Sequence, residues 1–206
     1  MAGRAGIARF GDGQSTLDTR LGQQGEFIGS DLHGQNYEQA VRKQIFFSLC
    51  VARATSLPAQ ASVGNIVYNP PDSGVNLALL KWQSQVLVTS ATLTGVGLAV
   101  GYQPTTPTSV TVADASGCTY LQQPTFITGK AKAYAIATVL LAPVMFTMLH
   151  HNTAAIAVTG IDQAAGDLEG SIIVPPGHFV AFAAAGAAAA ASGHTSWISW
   201  EEVPTL

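Results

Sequence analysis

The sequence predicts an all-β fold: an antiparallel β-sandwich of the jelly-roll kind, with an extended N-terminal arm. Three observations predict it. Runs of β-branched and aromatic residues recur with turn signals about every 8–12 residues, enough for roughly eight to ten strands. Only Tyr37–Ala54 carries helix-like spacing, with Tyr37, Val41, Ile45 and Leu49 four apart. The C-terminal stretch from Ser171 reads as strand, Pro175-Pro176-Gly177 turn, strand, small-residue connector and closing strand Ser196-Trp-Ile-Ser-Trp200.

The elements follow in order. Residues 1–36 form the arm. Glycine recurs there, charges are mixed, and the segment has too little apolar area to offset its own ordering entropy. It reads either as a disordered tail or, the favoured expectation, as an arm whose anchors Ile7, Phe10, Leu17, Leu21, Phe27 and Ile28 sit in a neighbouring subunit's grooves. Residues 37–206 form the sandwich domain. It starts helical or irregular to Lys43, then enters a buried strand, Ile45–Val51.

Ile66-Val-Tyr68 and Leu77–Val88 are strands. The turn chemistry of Asn69-Pro-Pro-Asp-Ser-Gly74 between them predicts a hairpin. A further strand, Ala91–Tyr102, carries Gly95, Gly97 and Gly101, which suit a twisted or bulged strand better than a phosphate loop. Val110–Val112 and Thr119–Leu121 are short strands. Tyr134–Leu141 and Val144–Leu149 are longer ones joined at Pro143, and Ala155–Thr159 is one more. Asp162–Gly170 reads as a polar loop, and Ala183–Ala191 as a small-residue strand and hairpin packed on a symmetry mate, with a short helix as the alternative.

Composition narrows the function. Charged residues make up 10 % of the 206, against roughly a quarter in ordinary domains. A surface so poor in charge is expected to be covered, and self-association is the simplest cover. A net charge of −3 offers no basic patch for phosphates, so no nucleic-acid partner is expected. The start lacks the apolar core of a signal peptide, and the apolar run Tyr134–Leu149 is shorter than a bilayer span and holds Pro143. No membrane partner is therefore expected. Cys50 and Cys118 make no CxxC pair and read as two buried, reduced thiols.

No catalytic constellation is legible. His150 and His151 are adjacent, so on a strand they face opposite ways and share a metal poorly. His178 and His194 are placed as possible neighbours across the closing hairpin, without a carboxylate cluster beside them. Nucleophile elbow, Walker and dinucleotide patterns are absent. The pairs Asp167/Glu169 and Glu201/Glu202 read as solvated charge. Tyr102 and Tyr120 do not make a convincing sugar platform. No catalytic residue, cofactor or metal is expected.

Three phrases remain: Tyr37-Glu-Gln-Ala-Val-Arg-Lys leading into Ile45-Phe-Phe-Ser; Val67-Tyr-Asn-Pro-Pro-Asp-Ser-Gly-Val-Asn-Leu-Ala-Leu-Leu-Lys81; and Val174-Pro-Pro-Gly177 with the ending Trp200-Glu-Glu-Val-Pro204. Together they resemble a family of virion structural proteins of tailed bacteriophages, over residues 37 to 204. The resemblance implies a non-enzymatic virion component assembled in the host cytoplasm. Within that family it implies a capsid cement or decoration protein, a homo-oligomer and expected trimer whose partner is the major capsid protein. Two alternatives stay open: a tail, baseplate or head-fibre component, one form of which contacts host glycans; and a cupin- or lectin-like cellular protein that binds a metal.

Overall fold

The computed structural model describes residues 7–9, 16–18, 45–53, 59–88, 94–117, 129–152, 163–185 and 193–205. The chain divides into two units, Met1–Glu38 and Gln39–Leu206. In the first, β1 (Ile7–Arg9) and β2 (Thr16–Asp18) form an antiparallel pair, with Ile7 opposite Asp18 and Ala8 opposite Leu17. Of the expected anchors, Ile7 and Leu17 thus lie on a local strand pair, while Phe10, Leu21, Phe27 and Ile28 lie outside the described residues.

The second unit is a two-sheet sandwich with no helix among its described residues. Its strands are β3 (Ile45–Arg53), β4 (Ala61–Asn69), β5 (Val75–Val88), β6 (Thr94–Tyr102), β7 (Thr108–Val112), β8 (Ala115–Ser116), β9 (Lys132–Thr138), β10 (Val144–Asn152), β11 (Gln163–Val174), β12 (His178–Ala184) and β13 (Gly193–Pro204). One sheet runs β10-β6-β12-β4-β9-β7 and the other β11-β5-β13-β3-β8, with every pairing antiparallel. Without β7, β8 and β9, what remains is β10-β6-β12-β4 against β11-β5-β13-β3. That order is the jelly roll, two four-stranded sheets whose chain keeps crossing between them. The segment β7–β9 is an insertion that widens both sheets at one side.

Among the described strands of this unit, none pairs with its successor in the chain. This corrects both predicted hairpins. Asn69–Gly74 carries the chain from β4 in one sheet to β5 in the other, and Pro175-Pro176-Gly177 carries it from β11 to β12. Proline and glycine chemistry specifies a sharp reversal but says nothing about whether the flanking strands share hydrogen bonds. Asn69 binds the two corners to each other. Its buried Nδ2 donates to Val75 O (2.8 Å) and Val174 O (3.0 Å), and its carbonyl accepts from Gly177 N (2.9 Å). Gly74 and Gly177 both take positive φ (66° and 75°), the conformation glycine adopts without steric cost.

Other corrections follow from the same non-local pairing. Residues 163–170 are not a loop but the first part of β11, paired along β5 from Gln163↔Gln85 to Asp167↔Lys81. The register then jumps to Ile172↔Leu79, so residues 168–171 bulge out, with Glu169 and Gly170 both at positive φ. His178 (β12) and His194 (β13) lie in different sheets and are not strand neighbours. The glycines of β6 do not break it. Gly97 sits where a Cβ would strike the Thr147 carbonyl of β10, and Gly101 where one would meet the Phe179 ring at 2.5 Å. Tyr37–Lys43, Thr119–Leu121, Ala155–Thr159 and most of Ala183–Ala191 lie outside the described residues.

The main core lies between the sheets: Phe46, Leu77, Leu79, Trp82, Ile198 and Trp200 from one meet Val67, Val96, Leu98, Val180 and Phe182 from the other. A second buried cluster (Ile66, Tyr68, Tyr134, Val139, Phe179, Ala181) is formed by residues of β4, β12 and the β9 region of the six-stranded sheet. Strands β4 and β12 are therefore buried on both faces, which is why Ile66-Val-Tyr68 and Phe179-Val-Ala-Phe182 are continuously apolar instead of alternating. One buried polar strut crosses the core. Gly64, at φ 126°, and a register shift between Val63 and Ile66 direct Asn65 toward the opposite sheet. There its Nδ2 donates to Ser48 O (3.1 Å) and Ser196 O (3.2 Å), and its Oδ1 accepts from Ser48 Oγ (2.5 Å).

Candidate functional site

With β4 and β12 buried on both faces, the exposed positions among the described residues lie on the outer face of the five-stranded sheet and at the sheet edges. Strands β3, β5 and β13 alternate buried with half-exposed residues, the signature of one wet face. On that face Leu49, Trp197 and Gln83 stand in one cross-strand row, and Thr195 and Gln85 in the next. These five residues line a groove of about 200 Å³. Phe47 flanks it, its ring 6.3 Å from that of Trp197. The parity of the strand explains the placement. Trp197 and Trp200 are three apart, so one faces out and the other lies in the core at 1 % exposure.

None of the described lining residues is ionisable. Among the described residues the Gln83 and Gln85 amides have no protein hydrogen-bond partner. The nearby cation on this face, Lys81, sits 3.6 Å from Asp167 across the strand pair.

The four sheet edges differ. Strand β11 carries the 168–171 bulge and two acids, β8 is two residues long, and β7 is short, with two register shifts and Ser109 at positive φ. Short, bulged and charged edges resist pairing with a stranger. Strand β10 has bulges near Phe146 and Leu149 but carries no acid and no lysine or arginine. It exposes Val144 (68 %), Phe146 (44 %) and Met148 (43 %), and Leu140 and Leu141 just before it are also exposed.

The remaining sequence candidates fall as follows. His150 and His151 pair with Val96 and Gly95 on β10. His178 packs its ring 5.1 Å from Tyr102, which is 52 % exposed, and its Nδ1 lies 3.1 Å from Pro176 O. Tyr120 and Cys118 are outside the described residues. Cys50 is fully buried, its Sγ 3.8 Å from Tyr134 O. Among the described residues no three His, Cys, Asp or Glu side chains converge as metal ligands, and no helix is long and apolar enough to cross a membrane.

Of the paired acids, Glu202 is more than solvated charge. Its carboxylate accepts from Lys130 N and Ala131 N, both at 2.9 Å, and so clamps the start of β9. Thr205 closes the same end: its N donates to Gly74 O (3.0 Å) and its Oγ1 to the same oxygen (3.1 Å). The second and third phrases quoted above are thus structural. Asn69-Pro-Pro…Gly74 and Val174-Pro-Pro-Gly177 are the two tied corners, and Glu202 anchors the insertion.

Burial pushes the Tyr68 hydroxyl above its ordinary pKa, helped by Tyr134 and Asp72, and burial does the same to Tyr134. Neither is poised as an acid or base near neutral pH. Comparison with protein-family models, with curated proteins and with solved structures finds no match to this chain.

Proposed function

We propose that the chain is a virion structural protein of a tailed bacteriophage, a capsid cement or decoration protein that self-associates, as a trimer, and clamps neighbouring major capsid subunits. The observation that carries this reading is the β10 edge. Among the described edges it lacks the acids of β11, is longer than β7 and β8, exposes three large apolar side chains, and follows two exposed leucines. An apolar, uncharged edge suits association with another chain. The low charge of the whole sequence agrees with a surface destined for burial. The jelly-roll order is compatible with the reading but does not select it, because lectins and cupins share the architecture. The motif resemblance directs the choice among them. Weak contacts made by each subunit would sum through effective concentration once an oligomer bridges several capsomers.

The test is the copy number of this chain in purified particles, by quantitative mass spectrometry against the major capsid protein. Hundreds of copies in a simple ratio support the cement reading. A handful in multiples of three, five, six or twelve moves the chain to the tail, vertex or fibre. Absence from particles removes the virion reading. Phe146→Lys with Met148→Glu should also dissociate the oligomer in analytical ultracentrifugation while leaving the fold intact. An unchanged oligomer would reject β10 as the contact.

A further inference from the structure

We propose that the groove around Trp197 is a binding site for a neutral carbohydrate. The inference stands apart from the virion reading, since it rests on the chemistry of one face of the five-stranded sheet.

Each lining group suits a sugar. A pyranose has an apolar C–H face and a rim of hydroxyls that both donate and accept. The Trp197 indole is half-exposed, with Phe47 beside it holding its tilt. Its π-face carries the negative end of the ring quadrupole, complementary to weakly positive C–H groups. Gln83, Gln85 and Thr195 stand in the same two rows and supply amides and a hydroxyl. Each amide offers two donors and an acceptor, which match hydroxyls in either sense. Those amides are not engaged by protein groups among the described residues, so binding breaks no internal network.

Size and charge narrow the ligand class. A volume of about 200 Å³ falls below the ~300–1,000 Å³ of a drug-sized pocket, which fits one or two ring-sized units. A protein partner would need a surface of ~1,000 Å² or more, far beyond this groove. Among the described residues the lining has no cation for a phosphate, sulfate or carboxylate, and Lys81 in the adjacent row faces Asp167. A neutral glycan is what remains. The groove lies across the adjacent strands β3, β13 and β5.

The protein supplies its own probe. Of its three tryptophans, Trp82 and Trp200 are buried at 7 % and 1 % exposure, so ligand-dependent fluorescence reports Trp197. The full chain is titrated with neutral gluco-, manno-, galacto- and N-acetylglucosamine oligosaccharides to millimolar concentration, with sialylated and sulfated oligosaccharides as charged comparators. The expected result is a saturable change with at least one neutral sugar. Trp197→Ala, followed by calorimetry because the probe is gone, should weaken binding about tenfold or more. Gln83→Ala with Gln85→Ala, on an already wet face, should weaken it comparably while the denaturation midpoint holds. Three outcomes overturn the proposal: no neutral sugar binds, only charged sugars bind, or both variants bind as tightly as the parent.

Discussion

Replacing Asn65 with alanine should destabilise the sandwich without touching any surface. The Asn65 side chain is 1 % exposed and makes three hydrogen bonds to the opposite sheet: two donations to the Ser48 and Ser196 carbonyls and one acceptance from Ser48 Oγ. A net contribution of ~0.5–1.5 kcal/mol for each bond places the loss at about 2–4 kcal/mol, since the Ser48 hydroxyl is also left buried. Against a typical stability of ~5–15 kcal/mol this is a large share. Ser48→Ala removes one of the three bonds and should cost about 1 kcal/mol, and the double variant should cost about 1 kcal/mol less than the two singles together. Asn65→Asp should be worse than alanine, because a carboxylate would face two carbonyl oxygens in a dry core. The assay is urea denaturation followed by circular dichroism, with the midpoint read at constant slope. A loss below about 0.5 kcal/mol for Asn65→Ala at unchanged slope would refute the strut.

Two further outcomes follow from the packing. Gly97→Ala places a Cβ against the Thr147 carbonyl, so β10 must shift away from β6. The cost should be about 1–3 kcal/mol, with amide exchange rising across β10 first, and normal protection there would contradict the close approach. The raised pKa of Tyr68 and Tyr134 means that the folded chain holds protons the unfolded chain has lost once pH exceeds the ordinary tyrosine value of 10.0. Stability is therefore intact below that value and falls as pH climbs through it. Tyr68→Phe removes a buried hydroxyl that has no partner among the described residues, and should be close to neutral at pH ~7 while softening the alkaline loss. Chemical denaturation at neutral and at alkaline pH checks both halves, and an identical alkaline loss in the variant would count against Tyr68 as a contributor.

By itself the sequence determined the fold class, the turns and most strands. Those features are written in local residue chemistry: β-branched and aromatic runs, proline pairs that set φ, and glycines that accept positive φ. The parity of Trp197 and Trp200 was also present in it, and implied that one indole faces outward. Partnership between strands was not legible. Pro175-Pro176-Gly177 turns the chain identically whether β12 returns beside β11 or crosses to the other sheet, and only packing of the apolar faces selects the crossing. Asp162–Gly170 looked like a loop because edge strand β11 alternates polar and small residues and spends four of them on a bulge. The candidate groove was hidden for the same reason. Leu49, Gln83 and Trp197 are far apart in the chain and meet because β13 inserts between β3 and β5. Strand insertion of that kind is settled by burying area across the whole sandwich, a free energy that no single stretch of the chain contains.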